Sequence, residues 1–268
     1  GTRTVRGLEA LLASFPPIPS EAILKRPGCE NIATWGGVLK AHGYSLSFLY
    51  GGFGAFDNMN HFFSSNGFQI SDRMSIRDVE FSNIWGVSDD DLFRHTLSYL
   101  DKEARSNQPF FAVVLTTSNH KPFTFPPGIP GVPPQGGGRD AGVRYSDYTI
   151  AQFLEGALRR PWGRETVFVI VADHDSRVYG RQQIPMERYK IPLFIYAPEM
   201  IAPRVVEKVV SQMDVGPTVL GLLGLSYTAP FYGRDVLRDE APSPVLLSHN
   251  HNVCLLYTSD AADDLLCV

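Results

Sequence analysis

Cysteine is scarce in this chain. Only Cys29, Cys254 and Cys267 occur, with no metal-type spacing and no plausible disulfide framework, so they do not settle the redox compartment. Long hydrophobic runs are missing as well. No stretch of about 18 apolar residues and no signal-peptide pattern is found, so these residues contain no membrane span. Nor does one sign of charge dominate: 24 Lys and Arg against 28 Asp and Glu leave a net charge of −4. That balance lacks the basic stripe with interleaved aromatics that nucleic-acid binding requires. No internal repeat is present. The chain begins at Gly1 without an initiator Met, so an anchor upstream remains compatible with it.

What is there reads as one large α/β domain. The 268 residues can bury a substantial core, and 44% are hydrophobic. The informative stretch is Thr166 to Ser176, T-V-F-V-I-V-A-D-H-D-S. Six apolar residues, Val167 to Ala172, predict a strand buried on both faces of a parallel sheet. It stops on Asp173 and His174, side chains that together can bind a divalent cation. Sites in open α/β sheets lie beyond the carboxyl ends of strands, so this pair marks the candidate site.

Taken in order, Leu8 to Phe15 predicts a helix ended by Pro16-Pro17. Thr4 just before it reads either as an N-cap or as a nucleophile at a helix N-terminus, where the dipole favours an anionic ester. A helix over Thr34 to His42, with Trp35, Val38 and Leu39 inward, leads through Gly43 into a strand, Tyr44 to Tyr50. Phe56 to Phe63 begins another helix, and Asp57 and Asn58 read as caps or as substrate contacts. Asp89-Asp90-Asp91 opens a helix to about Arg105 and complements its dipole. That makes the triplet structural rather than metal-binding. Pro109 to Leu115 predicts a second buried strand, ending in the polar cluster Thr116 to Phe123 that contains His120. Pro126 to Gly142 is a Pro/Gly-rich loop. Tyr145 to Leu158 is helical, Arg177 to Lys190 a polar loop and Ile191 to Ala197 a strand. Asp214 to Leu225 is a helix with Asp214 near its N-cap and Pro217 in the first turn. Val245 to His249 is a last strand, again ending on a histidine; neither His249 nor His251 has a matched role.

Several of these segments together resemble the alkaline phosphatase–sulfatase superfamily. They resemble more narrowly the catalytic domain of lipoteichoic-acid-synthase-like proteins, which transfer phosphoglycerol or related groups. The segments are G-T-R-T-V-R-G-L-E-A at the start, F-D-N-M-N-H-F-F-S-S-N-G-F from Phe56 and T-T-S-N-H-K-P-F from Thr116. Ala172-Asp173-His174 and S-Q-M-D-V-G-P-T-V-L-G-L-L-G from Ser211 follow in the family's order. The resemblance covers most of residues 1 to 250. It implies a mostly parallel central sheet with helices on both faces. Thr4 would be the nucleophile and a metal ligand, Asp173 and His174 two further ligands, and His120 a contact to the phosphate or leaving group. It also implies a further acidic ligand, a first catalytic strand and membrane helices upstream of Gly1. At Asp57 and Met59 the lipoteichoic acid synthases carry Trp and Arg, a departure that points to a Gram-negative-type relative.

The chemistry so implied uses Mn²⁺, with Mg²⁺ or Zn²⁺ as alternatives, bound by carboxylate, hydroxyl and imidazole. Thr4 would attack a glycerophospholipid phosphodiester and release diacylglycerol, and a glycan or polyol acceptor would then take the phosphoglycerol group. His120 would act as acid/base or hydrogen-bond donor, its other reading being a loop cap. By the same resemblance the domain works on the outer face of the cytoplasmic membrane. Three rivals stand beside this reading. A formylglycine sulfatase needs Cys or Ser in a C/S-x-P-x-R box where this chain has T-V-R-G. A phosphoethanolamine transferase usually brings more cysteines. A non-catalytic domain binding anionic glycans or lipid headgroups is the third. Residues 1–253 are expected to form the catalytic domain. From Cys254 the text resembles the translation of a sequencing adapter and is expected to be foreign to the fold, the alternative being a short C-terminal helix.

Overall fold

The computed structural model describes residues 1–175, 186–239, 245–249, 252–256 and 265–267. In chain order the elements are α1 (Thr4–Ala13), α2 (Trp35–Ala41), β1 (Ser45–Tyr50), α3 (Met59–Ser65), β2 (Gln69–Ser71), α4 (Asp89–Glu103), β3 (Phe110–Leu115) and α5 (Gly138–Leu158). Then come β4 (Phe168–Val171), β5 (Leu193–Tyr196), α6 (Val215–Leu222), β6 (Val245–His249), β7 (Asn252–Leu256) and β8 (Leu265–Cys267). The chain divides into two compact units, residues 1–38 with 167–268 and residues 39–166. Among the described residues no helix is long and apolar enough to cross a membrane.

The unit of residues 39–166 is built on a parallel sheet of order β2-β1-β3. β1 is its central strand, in register with β3 from Ser45↔Phe110 to Tyr50↔Leu115 and with β2 at Ser47↔Gln69. Central position explains its burial: Leu46 to Tyr50 are all buried, whereas β3 is only half-buried along its length. Phe48 of β1 stacks on Phe63 of α3 with centroids 3.7 Å apart. Leu49, Ile76, Val87 and Leu92 form one core cluster. Phe123, Phe125, Val132, Ala141 and Tyr145 form another. Burying side chains of this size is worth about 1.5–3 kcal/mol each. The second cluster explains a departure from expectation. α5 starts at Gly138, inside the stretch read as loop, because Ala141, Tyr145 and Thr149 recur at four-residue spacing and are all buried.

In the other unit α1 packs on α6 and on the 3₁₀ turn Gln212–Asp214 that precedes it. Leu8, Leu12, Val215, Val219 and Leu220 are buried there. α1 stops at Ala13 because Ser14 takes a left-handed conformation (φ 48°), just ahead of the prolines that cannot continue a helix. β4 carries the predicted strand, but it pairs antiparallel with β5, from Phe168↔Tyr196 to Val171↔Leu193. The expectation that it lies buried within a parallel arrangement is corrected: a continuous apolar run reports burial, not the direction of the neighbour, and here only Phe168 is fully buried. β6, β7 and β8 form an antiparallel meander in which Cys254 pairs with Leu247 and with Cys267. His251 and most of the predicted loop from Arg177 to Lys190 lie outside the described residues.

Candidate active site

Thr4 is the first residue of α1 rather than its cap. Arg3 holds the cap position, and no side-chain cap hydrogen bond is made there. The capping reading of Thr4 is therefore not what the structure shows. The hydroxyl instead heads a ten-residue helix, where free amides and the helix dipole favour an anion. One turn on, Gly7 lies directly on the end of β4: a Cβ there would stand 2.2 Å from the Asp173 carbonyl oxygen. Only a glycine permits this approach, and it sets the first turn of α1 against Asp173.

Asp173 and His174 follow the last strand residue of β4 and are about a quarter exposed. Asp173 Oδ1 accepts from the His174 amide at 2.9 Å. His174 Nδ1 lies 2.7 Å from the Asp175 carbonyl, which can only accept, so Nδ1 is the donor there and Nε2 is the nitrogen left to act as a ligand in the neutral ring. Nε2 then faces Asp173 Oδ2 at 3.6 Å. Neighbouring ligands about 2.1 Å from one cation stand roughly 3–3.5 Å apart, so this donor pair fits a divalent ion, with the imidazole oriented by its second nitrogen. Gln212 holds the same strand end in place, its Nε2 donating to the carbonyls of Ala172 (3.0 Å) and Asp173 (2.8 Å).

The segment around Gln212 explains much of the motif beginning at Ser211. Ser211 and Asp214 form a reciprocal capping box, as the position of Asp214 predicts, and Asp214 Oδ1 also accepts from the Arg234 amide at 2.9 Å. Arg6 and Glu9 of α1 form a buried pair at 2.7 Å. Arg6 also donates to the carbonyls of Ile18 and Ser20, and Glu9 accepts from the Ile23 amide. Burial raises the Glu9 pKa, and the Arg6 hydrogen bond opposes the rise. These charges shape the loop after α1.

His120, Asp57 and Asn58 belong to the unit of residues 39–166. His120 is exposed beyond the carboxyl end of β3, its ring stacked on Trp85 with centroids 4.4 Å apart. The Trp85 indole donates to the Lys121 carbonyl, and the His120 carbonyl accepts from Phe123 at 2.9 Å. This main-chain bond closes the loop turn. Asp57 and Asn58 both take left-handed backbone conformations, φ 51° and 63°. Asn58 occupies the cap position of α3 without a side-chain cap hydrogen bond, so the capping reading fails for its side chain. Consecutive left-handed residues are uncommon outside glycine and recur at functional sites. The loop that carries them is tied down by Asp72, whose Oδ2 accepts from the Gly54 amide (3.1 Å) and from Asn60 (2.8 Å). The acidic triplet is structural, as expected. Ser88 caps α4 and bonds Asp91, Asp91 accepts the amides of Glu80 and Phe81, and Asp89 accepts those of Thr117 and Ser118.

Sequence reasoning missed Gln212, Trp85 and Asp89 as supports of these positions. Their partners lie about 30 to 40 residues away in the chain, and nothing in the local pattern announces them.

Comparison with known proteins follows the same lines. The sulfatase family matches residues 1–225. A phosphoglycerol transferase I of Xanthomonas axonopodis pv. citri is 27% identical over 266 residues, covering 89% of this chain and 36% of that protein. Lipoteichoic acid synthase 2 of Bacillus subtilis is 24% identical, covering 85% of this chain and 38% of that protein. The chain thus spans little more than a third of the length of the curated relatives it matches. Among solved structures, an alkaline phosphatase superfamily protein from Vibrio parahaemolyticus superposes with a TM-score of 0.92 at 34% identity, over 100% of this chain and 66% of that one. The lipoteichoic acid synthase LtaP from Listeria monocytogenes shares the fold, with a TM-score of 0.81 at 19% identity, over 100% of this chain and 73% of that one.

Proposed function

Because the chain belongs to the sulfatase family, we propose that residues 1–253 are the catalytic domain of a metal-dependent transferase. It moves phosphoglycerol, or a similar group, from a glycerophospholipid to a glycan or polyol acceptor. The names of the curated relatives support this reading. The observation that carries it is the seating of Thr4 at the head of α1, whose Gly7 rests on the backbone of the Asp173–His174 pair. The enzyme works on the outer face of the cytoplasmic membrane, where its lipid donor lies.

Asp173, His174 and Thr4 would hold the ion from this chain, Mn²⁺ in the first place and Mg²⁺ or Zn²⁺ with the same donors. Such an ion lowers the pKa of a nearby hydroxyl and neutralises phosphoryl charge. Thr4 Oγ1 would lose its proton to solvent and bond to the donor phosphorus, while the bond from phosphorus to the diacylglycerol oxygen breaks. His120 supplies a proton to that departing oxygen. An acceptor hydroxyl would then pass its proton to His120 and bond to the same phosphorus, while the Thr4 ester breaks and the Thr4 oxygen takes a proton back from solvent. Asp57 and Asn58, held in strained conformations, contact the transferred or accepting group.

Intact-protein mass spectrometry tests this reading, after incubation with Mn²⁺ and phosphatidylglycerol, on this chain and on a version extended upstream. A glycerophosphate adduct that Thr4→Ala abolishes is expected. No adduct on the extended, metal-loaded protein would reject the phosphoglycerol reading in favour of another ester. Retained headgroup or glycan binding in Asp173→Asn, with metal lost, would instead favour a binding domain.

A further inference from the structure

Three acids open α4, and Asp89 has an unusual task among them. Asp90 reaches Arg94 at the surface (3.0 Å), and Asp91 bonds the cap Ser88 and accepts the amides of Glu80 and Phe81 in the segment just before the helix. Asp89 is only 1% exposed. Its Oδ1 accepts from the amides of Thr117 (3.1 Å) and Ser118 (3.0 Å), and its own amide donates to Ser118 Oγ (3.0 Å). Its Oδ2 is buried with no hydrogen-bond partner among the described residues. A buried carboxylate with an unpartnered oxygen is costly. A helix that Ser88 already caps does not require it.

What Asp89 holds is the exit of β3. That strand ends at Leu115, after which the ladder to β1 no longer binds the amides of Thr117 and Ser118. Two successive amides aimed at one oxygen fix the direction in which the chain leaves a sheet. His120 follows two residues later. The same stretch of chain braces this loop twice more: Thr117 Oγ1 donates to the Val87 carbonyl (3.0 Å), and Trp85 stacks on the His120 ring. We propose that Asp89 is a positioning residue that, by clamping Thr117 and Ser118, sets the place of the His120 ring against Trp85. This deepens the reading of His120 as a substrate contact and rests on it.

Two measurements separate the clamp from that reading. The first is the ¹H–¹³C resonance of His120 Cε1, which lies in the ring-current field of Trp85, recorded in the protein and its variants. The second is release of diacylglycerol from phosphatidylglycerol, resolved into kcat and KM. Asp89→Asn keeps the accepting oxygen, so the resonance stays in place and kcat stays within about threefold. Asp89→Ala moves the resonance towards that of a free histidine. It lowers kcat by the factor that His120→Ala does, on the order of 10²-fold, with KM changed less. The combined Asp89→Ala/His120→Ala variant then falls no further than His120→Ala alone. An unmoved resonance in Asp89→Ala, or losses that multiply in the double variant, would overturn the proposal. Full activity in His120→Ala would reject the catalytic reading of His120, while the resonance still decides the clamp. Should Asp89→Ala fail to fold, Asp89→Ser, too short to reach both amides, carries the same comparison.

Discussion

The ends of β4 and β3 hold their candidate site residues by different means. At the end of β4 the fixing contacts fall on the carbonyls of the strand end: the Gly7 backbone of α1 lies against that of Asp173, and the Gln212 side-chain amide donates to those of Ala172 and Asp173. The candidate ligands themselves keep their reactive atoms out of structural bonds. At the end of β3 the fixing groups are buried carboxylates, Asp89 for the exit loop and Asp91 and Asp72 for its neighbours. A contact on the main chain leaves no slack, which would suit the proposed role of this pair in holding one ion. A carboxylate accepting amides fixes the path of a loop but leaves the ring at its tip to be oriented by stacking.

The sharpest way to break the first arrangement is Gly7→Ala. In an exposed helix interior this change is mildly favourable. Here the new Cβ must displace the Asp173 carbonyl, costing about 1–3 kcal/mol of stability. A shift of about 1 Å at the site is enough to cost roughly 10²-fold in turnover. Thermal unfolding and kcat measured together check this, and unchanged values for both would refute the contact. Gln212→Ala removes only the clamp on the strand end. Metal affinity, followed by calorimetry, should fall about tenfold, in the range typical of residues that support a ligand, with little change in Tm. The smallest effect belongs to the β3 side. Burial raises the Asp89 pKa above its ordinary value of 3.8. The folded protein therefore binds this proton more tightly than the unfolded chain does. That contribution to stability is fully present below 3.8 and is lost as the pH rises through the raised value. Asp89→Asn removes it, so the variant's Tm relative to the parent should improve by a few °C between pH 3.5 and pH 7. A flat difference would mean that Asp89 is not buried as described.

Much of this was readable before any coordinates. Asp173 and His174 adjoin in sequence at the end of an apolar run, so their candidacy needs only the rule that strand ends carry sites. The helix cap at Asp214 was equally local. The antiparallel partner of β4 was not readable, because periodicity carries no information about direction. The early start of α5 was hidden by Gly136, Gly137 and Gly138, which read as loop until Ala141 and Tyr145 are seen to pack on Phe123 and Phe125. Thr4 was ambiguous between cap and nucleophile, and a single residue of helix boundary separates the two. The left-handed pair Asp57–Asn58 and the reach of Asp89 to Ser118 depend on contacts across the fold that no local window contains.

Ser14 gives the first helix a further property. Its hydroxyl is fully buried, donating to the Met213 carbonyl (2.8 Å) and accepting from the Gly233 amide (2.8 Å), while Trp35 donates to the Leu11 carbonyl (2.8 Å). Gly7 fastens the other end. A rod of ten residues, about 15 Å long, is thus pinned near both tips and can neither roll nor slide. Thr4, the proposed nucleophile, is therefore placed as much from Ser14 as from the strand beside it, and the alignment of its hydroxyl becomes a property of the whole rod rather than of its nearest neighbours.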